Sequence, residues 1–196
     1  MEKKDLPKEI KSMLHYFAYG SNLHPVRLKE RVPSIKLVGT VELAHHDLAF
    51  HKKSHDGSAK CNLLHTGVDS DRVHGAIYQL DPGHKTLLDW YEGKGSGYMD
   101  SPLKVQYQGQ NYSCFTYIAQ PSHIVDHLQP YHWYKKLVLL GARYCQFPHL
   151  YLAAIESVKS IDDPDLSRTN EHDVLIKKIL RFRDDSCRDN QKNFRI

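Results

Sequence analysis

The sequence predicts a mixed α+β domain, because its short β-type segments come mostly before its long helical segments. Alternating apolar and polar residues mark the first group, and apolar residues at helical spacing mark the second. Strands are expected at residues 14–19, 35–43, 45–52, 59–65, 72–80, 98–107 and 110–119. Helices are expected at residues 24–30, 82–91, 130–146, 148–158 and 170–183.

Short sequence features support several of these strands and helices. Residues 72–80 alternate well enough for a half-buried strand, and the Gly-centred turn at residues 108–110 joins the last two strands. Pro82 lies near the start of a short helix, where its missing N–H costs nothing. Pro148 separates the two helices that follow. The last helix carries an apolar stripe of Val174, Ile176, Ile179 and Leu180.

The length of 196 residues is that of one domain or slightly more, long enough to bury a sizeable core. We expect an N-terminal extension at residues 1–13 and a main domain at residues 14–158. A linker and C-terminal helix follow at residues 159–183, and a mobile basic tail at residues 184–196. The helix is expected to pack on the domain or on a second subunit, so a homodimer stays open.

Composition narrows the class of protein. The chain is 40% hydrophobic and 26% charged, which are ordinary values for a soluble globular protein. It has no apolar run of the ~18 residues that span a membrane, and its first residues lack the apolar core of a signal peptide. We therefore expect no membrane partner and a cytoplasmic location. A net charge of +4 is too small to indicate a nucleic-acid partner.

Cysteine and histidine spacings indicate no metal site. The four cysteines lie far apart with no Cys-x-x-Cys pair, so neither a disulfide framework nor a zinc site is expected. We expect buried free thiols, with Cys187 exposed. The fourteen histidines show none of the known metal-site spacings, including those clustered at residues 45–55.

Residues 16–23 form the first segment that suggests chemistry. A predicted strand runs through Gly20, Ser21 and Asn22 into a helix, which leaves several backbone N–H groups unpaired at one point. Such a point binds anions, and Gly20 allows close approach because it has no Cβ. The alternative is an ordinary strand-to-helix turn with Asn22 as N-cap.

Residues 87–99 form the second segment. A short helix is expected to bury Leu87 and Leu88 and to end at Gly93, which places Glu92 on its last turn or just beyond. A carboxylate there faces the negative end of the helix dipole, an unfavourable position that would make it a better base. A residue placed against the usual preferences of its secondary structure often has a functional role. The alternative is a solvent-exposed glutamate in a flexible loop.

The chain resembles the gamma-glutamylcyclotransferase (AIG2-like) family over roughly residues 14–158. Its members carry a Tyr-Gly-Ser-Asn loop, matched by residues 19–22, and a Glu-Gly-x-x-Ser-Gly-x-Tyr-like segment, matched by residues 92–98. Residues 134–143 match a tyrosine-led helix, whereas Tyr98-Met99 reverses an order common in relatives. The resemblance implies a small mixed sheet that is closed or strongly curved like a barrel, with helices packed outside and the C-terminal helix appended.

The resemblance also implies a reaction. The α-amine of a γ-glutamyl amide attacks its own γ-carbonyl, which releases 5-oxoproline and a free amine or amino acid, and Glu92 acts as general base and then acid. A small-molecule γ-glutamyl compound is the implied partner, and no cofactor is needed. The implied substrate-binding residues are Tyr16, Phe17, Ala18, Tyr19, Gly20, Ser21, Asn22, Tyr98, Tyr117 and Tyr134. Lys94 or Arg143 could meet the substrate's α-carboxylate.

Three alternatives remain at this point. The same loop could serve a γ-glutamylamine or a biosynthetic γ-glutamyl intermediate. The scaffold could bind without catalysis, although the presence of Glu92 argues against that. An interaction protein could use the C-terminal helix and basic tail. Deleting residues after about 168 would separate the last alternative, since an enzyme is expected to keep its turnover.

Overall fold

Seven strands and five α-helices make up residues 12–182, the part of the chain that this computed structural model describes. The strands are β1 (Leu14–Ala18), β2 (Lys36–Ala44), β3 (His46–Lys53), β4 (Ala59–His65), β5 (Arg72–Leu80), β6 (Tyr98–Tyr107) and β7 (Gln110–Ala119). The helices are α1 (Pro25–Arg31), α2 (Lys85–Glu92), α3 (His132–Tyr144), α4 (His149–Ser157) and α5 (Leu166–Arg181). Short 3-10 turns lie at Pro82–His84 and Pro121–His123. Every expected strand and helix is confirmed, with its ends moved by a few residues.

Strand β1 lies at the centre of a five-stranded sheet in the order β2-β5-β1-β7-β6. It runs antiparallel to β5, where Phe17 lies opposite Ile77, and parallel to β7, where Tyr16 lies opposite Phe115. Strands β3 and β4 form a separate antiparallel pair. Because β1 and β7 run in the same direction, the loop that follows β1 and the end of β7 lie at one edge of the sheet.

The five-stranded sheet is open. Strands β2 and β6 are its edges, and no hydrogen-bonded ladder joins them within residues 12–182. The edges meet through a side chain instead: a Cβ on Gly39 of β2 would lie 2.2 Å from Cζ of Tyr107 in β6. The mixed α+β fold is confirmed, but the barrel-like closure that the resemblance implied is not, because side-chain packing replaces the pairing that would close the sheet.

The core fills the space between the sheet and the helices. Phe17 and Ala18 of β1 are fully buried, as are Leu137 and Val138 of α3. Helix α3 also contacts the loop after β1 closely, since a Cβ on its Gly141 would lie 2.5 Å from Cβ of Leu23. This close contact fixes the loop against the helix and so positions the site.

Helix α5 packs on α1 and α3 and buries Ile176 and Ile179. It is anchored at its start by the buried Asp163, which accepts hydrogen bonds from Nε1 of Trp133 in α3 (2.8 Å) and Nε of Arg168 in α5 (2.7 Å). The C-terminal helix therefore contributes to the described core. The expected domain boundary at residue 158 stays a prediction.

Several expectations fall outside the described residues. The tail at residues 184–196, Cys187 and all but two residues of the 1–13 extension belong to this group. The other three cysteines are free and buried, as expected. Among the helices of residues 12–182, none has the length and apolar character that crossing a membrane requires. The homodimer stays a prediction.

Candidate active site

The loop after β1 does not use Asn22 as a helix cap. The N-cap of α1 is His24, whose Nδ1 accepts from the backbone N–H of Val26 at 3.2 Å. The loop is closed by one backbone bond, from Leu23 N–H to Gly20 C=O at 3.1 Å. The buried Asn22 side chain is therefore available for other contacts, and the N-cap alternative is wrong.

Glu92 is the last residue of α2, which ends because Gly93 adopts a left-handed conformation with φ of +63°. Its Oε1 accepts hydrogen bonds from Nδ2 of Asn22 at 2.7 Å and from Nη1 of Arg31 at 2.9 Å. The same Arg31 nitrogen donates to Oδ1 of Asn22 at 3.1 Å, so the three side chains form a triangle. The Glu92 side chain is only 15% exposed, which excludes the alternative of a solvated loop glutamate.

An inner cavity of about 20 Å³ lies beside Glu92. One part of its wall consists of Tyr16, Tyr19, Gly20, Ser21 and Asn22. The other part consists of Cys61, Glu92, Tyr98, Tyr117 and Tyr134. Of the predicted site residues, Phe17 and Ala18 do not line it and are fully buried in β1 instead. Cys61, in β4, was not predicted, because no local pattern connects it to either motif.

Three tyrosines of this wall donate their hydroxyl hydrogens to the protein. Tyr19 donates to the backbone carbonyl of Tyr117 at 2.5 Å, and Tyr98 donates to that of Cys61. Tyr117 donates to Oδ1 of Asp89 at 2.6 Å. These bonds hold the rings in place, so the three phenols frame the cavity.

The other two tyrosines accept hydrogen bonds. Tyr134 accepts from the backbone N–H of Cys61 at 3.0 Å, and Tyr16 accepts from Nδ2 of Asn22 at 3.3 Å. A hydroxyl that accepts still has its own hydrogen to donate. Burial, and then the charge of Glu92, holds the pKa of Tyr16 far above its usual value, and burial does the same for Tyr134. Both therefore stay neutral phenols.

An outer cavity of about 320 Å³ adjoins the inner one and shares Ser21, Glu92, Tyr98 and Tyr134 with it. Its remaining wall comes from α1, α2, α3, α5, strands β3 and β4 and the segments between them. Cationic side chains are frequent there: Arg27, Arg31, Lys52, Lys60 and Arg168. The outer cavity is therefore basic, whereas the inner one is lined by neutral hydroxyls around one carboxylate.

Besides Arg31, which pairs with Glu92, two other cationic side chains of the outer cavity pair with a carboxylate. Nζ of Lys60 lies 2.7 Å from Oδ2 of Asp56. Burial lowers the pKa of Lys60 to about 8, although the attraction of Asp56 opposes this shift. Arg168 binds Asp163 through two nitrogens. These pairs fix the side chains and account for their charges.

The candidates Lys94 and Arg143 line neither cavity. Lys94 pairs with Asp100 at 2.9 Å, and Arg143 pairs with Glu156. The arginine at Glu92 is Arg31, which the sequence analysis missed. Its spacing could have found it, because Arg27 and Arg31 lie four residues apart in the helix after the Gly-Ser-Asn loop and therefore share a face.

The described residues hold no group of three or more His, Cys, Asp or Glu side chains that could bind a metal ion. Two histidines near residue 50 contact other side chains or the backbone. His51 lies between Asn62 and Asp126, and His46 contacts the backbone carbonyl of Ala44 at 2.7 Å.

Comparisons with known proteins identify the family of the chain. The family model described as gamma-glutamyl cyclotransferase, AIG2-like, matches residues 16–136. Human gamma-glutamylcyclotransferase is 28% identical over 185 residues, which cover 89% of this chain and 94% of the human protein. The mouse gamma-glutamylcyclotransferase is 28% identical over 173 residues, covering 83% and 87%. A solved gamma-glutamyl cyclotransferase structure is similar with a TM-score of 0.73 at 26% identity, over 85% of this chain and 99% of that one.

The chain belongs to the gamma-glutamyl cyclotransferase, AIG2-like family. The match covers both motifs that carried the resemblance, the loop at residues 19–22 and the segment at residues 92–98. The expected family is confirmed, and with it the expectation of an enzyme of this kind.

Proposed function

We propose that this chain is a gamma-glutamylcyclotransferase, which converts a γ-glutamyl amide into 5-oxoproline and the released amine. One observation carries the proposal. The Glu92 carboxylate, at the end of α2, is held by Asn22 of the loop after β1 at the boundary of two adjoining cavities. Two segments that lie far apart in sequence therefore place one partly buried carboxylate beside a group of hydrogen-bond donors.

Glu92 acts as the proton carrier. Both of its hydrogen bonds fall on Oε1, and Oε2 has no bond to a described residue, so Oε2 is the oxygen that accepts a proton. It takes a proton from the α-ammonium group of the substrate, and the freed amine attacks the γ-carbonyl carbon. The tetrahedral intermediate then collapses, and the bond from the γ-carbon to the leaving nitrogen breaks. Both protons lost by the α-nitrogen end on the leaving nitrogen, so Glu92 returns to its starting state.

Negative charge develops on the γ-carbonyl oxygen during the attack. The backbone N–H groups of Ser21 and Asn22 make no hydrogen bond to any residue in 12–182, and the Tyr16 hydroxyl has its hydrogen to donate. Fixed donors of this kind stabilise such a charge strongly, because they need no reorganisation. The same donors suit the α-carboxylate of the substrate.

The protein needs no nucleophile of its own, since the substrate supplies it. Cys61 lines the inner cavity, but burial raises the pKa of its thiol to about 12, so it stays a protonated, weak nucleophile. Ring closure instead gains from proximity, which can lower the barrier by roughly 7–11 kcal/mol when the reacting atoms are well oriented. The tyrosine wall can provide this orientation by folding the γ-glutamyl arm back on itself.

The cavity volumes indicate how the substrate divides between them. The inner cavity, at about 20 Å³, has room for about one water molecule and is too small for a whole γ-glutamyl amide. The outer cavity of about 320 Å³ meets it at Glu92 and Tyr98. We therefore place the reacting amide at that boundary and the leaving group in the outer cavity.

The experiment is 5-oxoproline release from γ-glutamyl amino acids, a γ-glutamylamine and glutathione. We expect release from at least one class, and a loss of roughly 10²–10⁴ in kcat in the Glu92→Gln variant. Glu156→Gln is the matched control, because this exposed glutamate pairs with Arg143 outside both cavities. Absence of release by the folded wild type, or wild-type turnover by Glu92→Gln, would overturn the proposal.

A further inference from the structure

Two cations in the outer cavity are buried without a carboxylate partner among residues 12–182. Arg27 is only 6% exposed, and its Nε has no hydrogen-bond partner there. Lys52 is 4% exposed, and no described carboxylate lies within ion-pair distance of it. Both side chains line the outer cavity. They differ in this respect from Arg31, Lys60 and Arg168, each of which pairs with a carboxylate.

Burial of an unpaired cation is unfavourable, because the charge loses its hydration and gains no counter-charge. The pKa values of both groups reflect this: burial, and then repulsion from Arg31, lowers that of Arg27 to about 9, and burial lowers that of Lys52. The ring of Tyr98, 4.6 Å from Nζ of Lys52, compensates part of its cost. Arg27 has no comparable ring contact in residues 12–182.

The two unpaired cations face a common space. Lys60 is repelled by both Arg27 and Lys52, so the three charges lie within electrostatic reach of one another around the cavity. Asp56 pairs directly with Lys60, whereas the carboxylates that attract Lys52 (Asp56 and Glu92) and Arg27 (Glu92 and Glu30) act from beyond ion-pair distance. An anionic ligand in the outer cavity would supply the direct ion pairs that these two side chains lack.

We propose that the outer cavity selects γ-glutamyl substrates whose leaving amino acid is itself acidic, so that Arg27 and Lys52 bind its two carboxylates. This inference rests on the proposed function, because it assigns the outer cavity to the leaving group. One unpaired cation would suffice for the α-carboxylate of any amino acid. The second cation matches a side-chain carboxylate, and the volume of about 320 Å³ accommodates a group of this size.

The test compares two substrates of nearly the same shape, γ-glutamyl-glutamate and γ-glutamyl-glutamine, which differ by one charge. We expect wild-type kcat/KM for 5-oxoproline release to favour the glutamate compound by roughly tenfold or more, as a charge-assisted pair can provide. Arg27→Met and Lys52→Met are expected to reduce this preference severalfold. Lys136→Met is the matched control, because this exposed α3 lysine lies outside both cavities, and it should keep the preference.

Each outcome is decisive. Equal kcat/KM for the two compounds, a preference for glutamine, or losses in both variants that are equal for the two substrates would overturn the inference while leaving the proposed function intact. The wild-type comparison needs no variant, so it decides even if Arg27→Met fails to fold. If neither compound releases 5-oxoproline, calorimetric binding of both to the wild type still decides whether the cavity selects the extra charge.

Discussion

The inner and outer cavities share a boundary at Glu92 and differ in chemistry. The inner wall offers phenol hydroxyls, backbone groups and one carboxylate, whereas cationic side chains outnumber carboxylates in the outer wall, and two of them, Arg27 and Lys52, are buried. Neutral donors suit a place where protons move, because they do not add charges to the reacting groups. Fixed cations suit a place where a charged group must be recognised. The difference fits the division that we propose, with the chemistry at the inner cavity and selection of the leaving group in the outer one.

The two cavities also depend on different parts of the chain. The inner wall comes from strands of the five-stranded sheet, strand β4 of the separate pair, the loop after β1, the end of α2 and the start of α3. The outer wall needs α5, which supplies Arg168 and His172. Changes in α5 should therefore act on the outer cavity and on stability, and changes in the loop should act on the chemistry.

The largest expected effect is that of a truncation after Asp165, which removes α5. The truncation removes the buried side chains of Ile176 and Ile179, and the loss of each costs ~2–5 kcal/mol of stability. It also leaves Asp163 without its partner Arg168. Their sum approaches the ~5–15 kcal/mol stability of a typical domain. We expect no cooperative unfolding transition by circular dichroism and no 5-oxoproline release, in contrast to a truncation after Phe182. This revises the sequence-based expectation that deletion after about residue 168 leaves turnover intact. A normal transition without α5 would contradict it.

The next effect is that of Asn22→Ala in the loop. Asn22 contacts Glu92, Arg31 and Tyr16, so its loss removes one of the two hydrogen bonds that hold the carboxylate that we assign to proton transfer. We expect kcat to fall roughly 10–100-fold while KM changes less, because a misplaced catalytic group loses rate steeply. Asn111→Ala, at an exposed position of β7, is the control for steady-state kinetics. Unchanged kcat in Asn22→Ala would show that Glu92 does not depend on this contact.

A smaller effect concerns the pH dependence of stability near the outer cavity. Burial, and then repulsion by Arg27 and Lys60, lowers the pKa of His172 to about 4. At pH values between that pKa and the ~6.5 of a histidine in the unfolded chain, His172 is protonated in the unfolded state but not in the folded state. The free energy of unfolding therefore falls as the pH drops through this range. Urea unfolding at pH 7 and pH 5 should show a larger loss in the wild type than in His172→Asn. Equal losses would mean that His172 is not linked to folding.

The smallest effect is expected for Tyr117→Phe in the inner wall. Its hydroxyl donates to Asp89, which keeps Lys85 as a partner at 2.7 Å. We expect a loss of about 1 kcal/mol in the free energy of unfolding, typical of one hydrogen bond, and less than roughly a tenfold change in kcat. A loss of activity comparable to that of Glu92→Gln would mean that this phenol takes part in the chemistry.

Local patterns predicted the elements of the fold and part of the inner wall, the Gly20-Ser21-Asn22 loop and Glu92, whereas the wall tyrosines were implied only by the family resemblance. Strands and helices follow from alternation and from apolar periodicity, and the inner wall comes largely from short segments such as residues 16–22 and 92–98. The open sheet was not predicted, because closure depends on whether β2 and β6 pair across the fold, and Tyr107 packed on Gly39 takes the place of that pairing.

The outer wall was largely missed for the same reason. Arg27 and Arg31 share a helix face, which their spacing shows, but nothing local connects them to Lys52, Lys60 or His172. Charges on distant elements converge only after folding. Leu87 gives a similar lesson on a small scale: apolar character predicted burial, yet it is 44% exposed, while the adjacent Leu88 is fully buried.

One set of kinetic measurements tests most directly whether Glu92 acts in the chemistry and Arg27 in selection of the leaving group. It determines kcat/KM for 5-oxoproline release by the wild type, Glu92→Gln and Arg27→Met, each with γ-glutamyl-glutamate and γ-glutamyl-glutamine. We predict that Glu92→Gln loses activity on both substrates by the same large factor, whereas Arg27→Met loses it mainly on the glutamate compound. Wild-type activity in Glu92→Gln, or the same pattern of loss in both variants, would contradict the account.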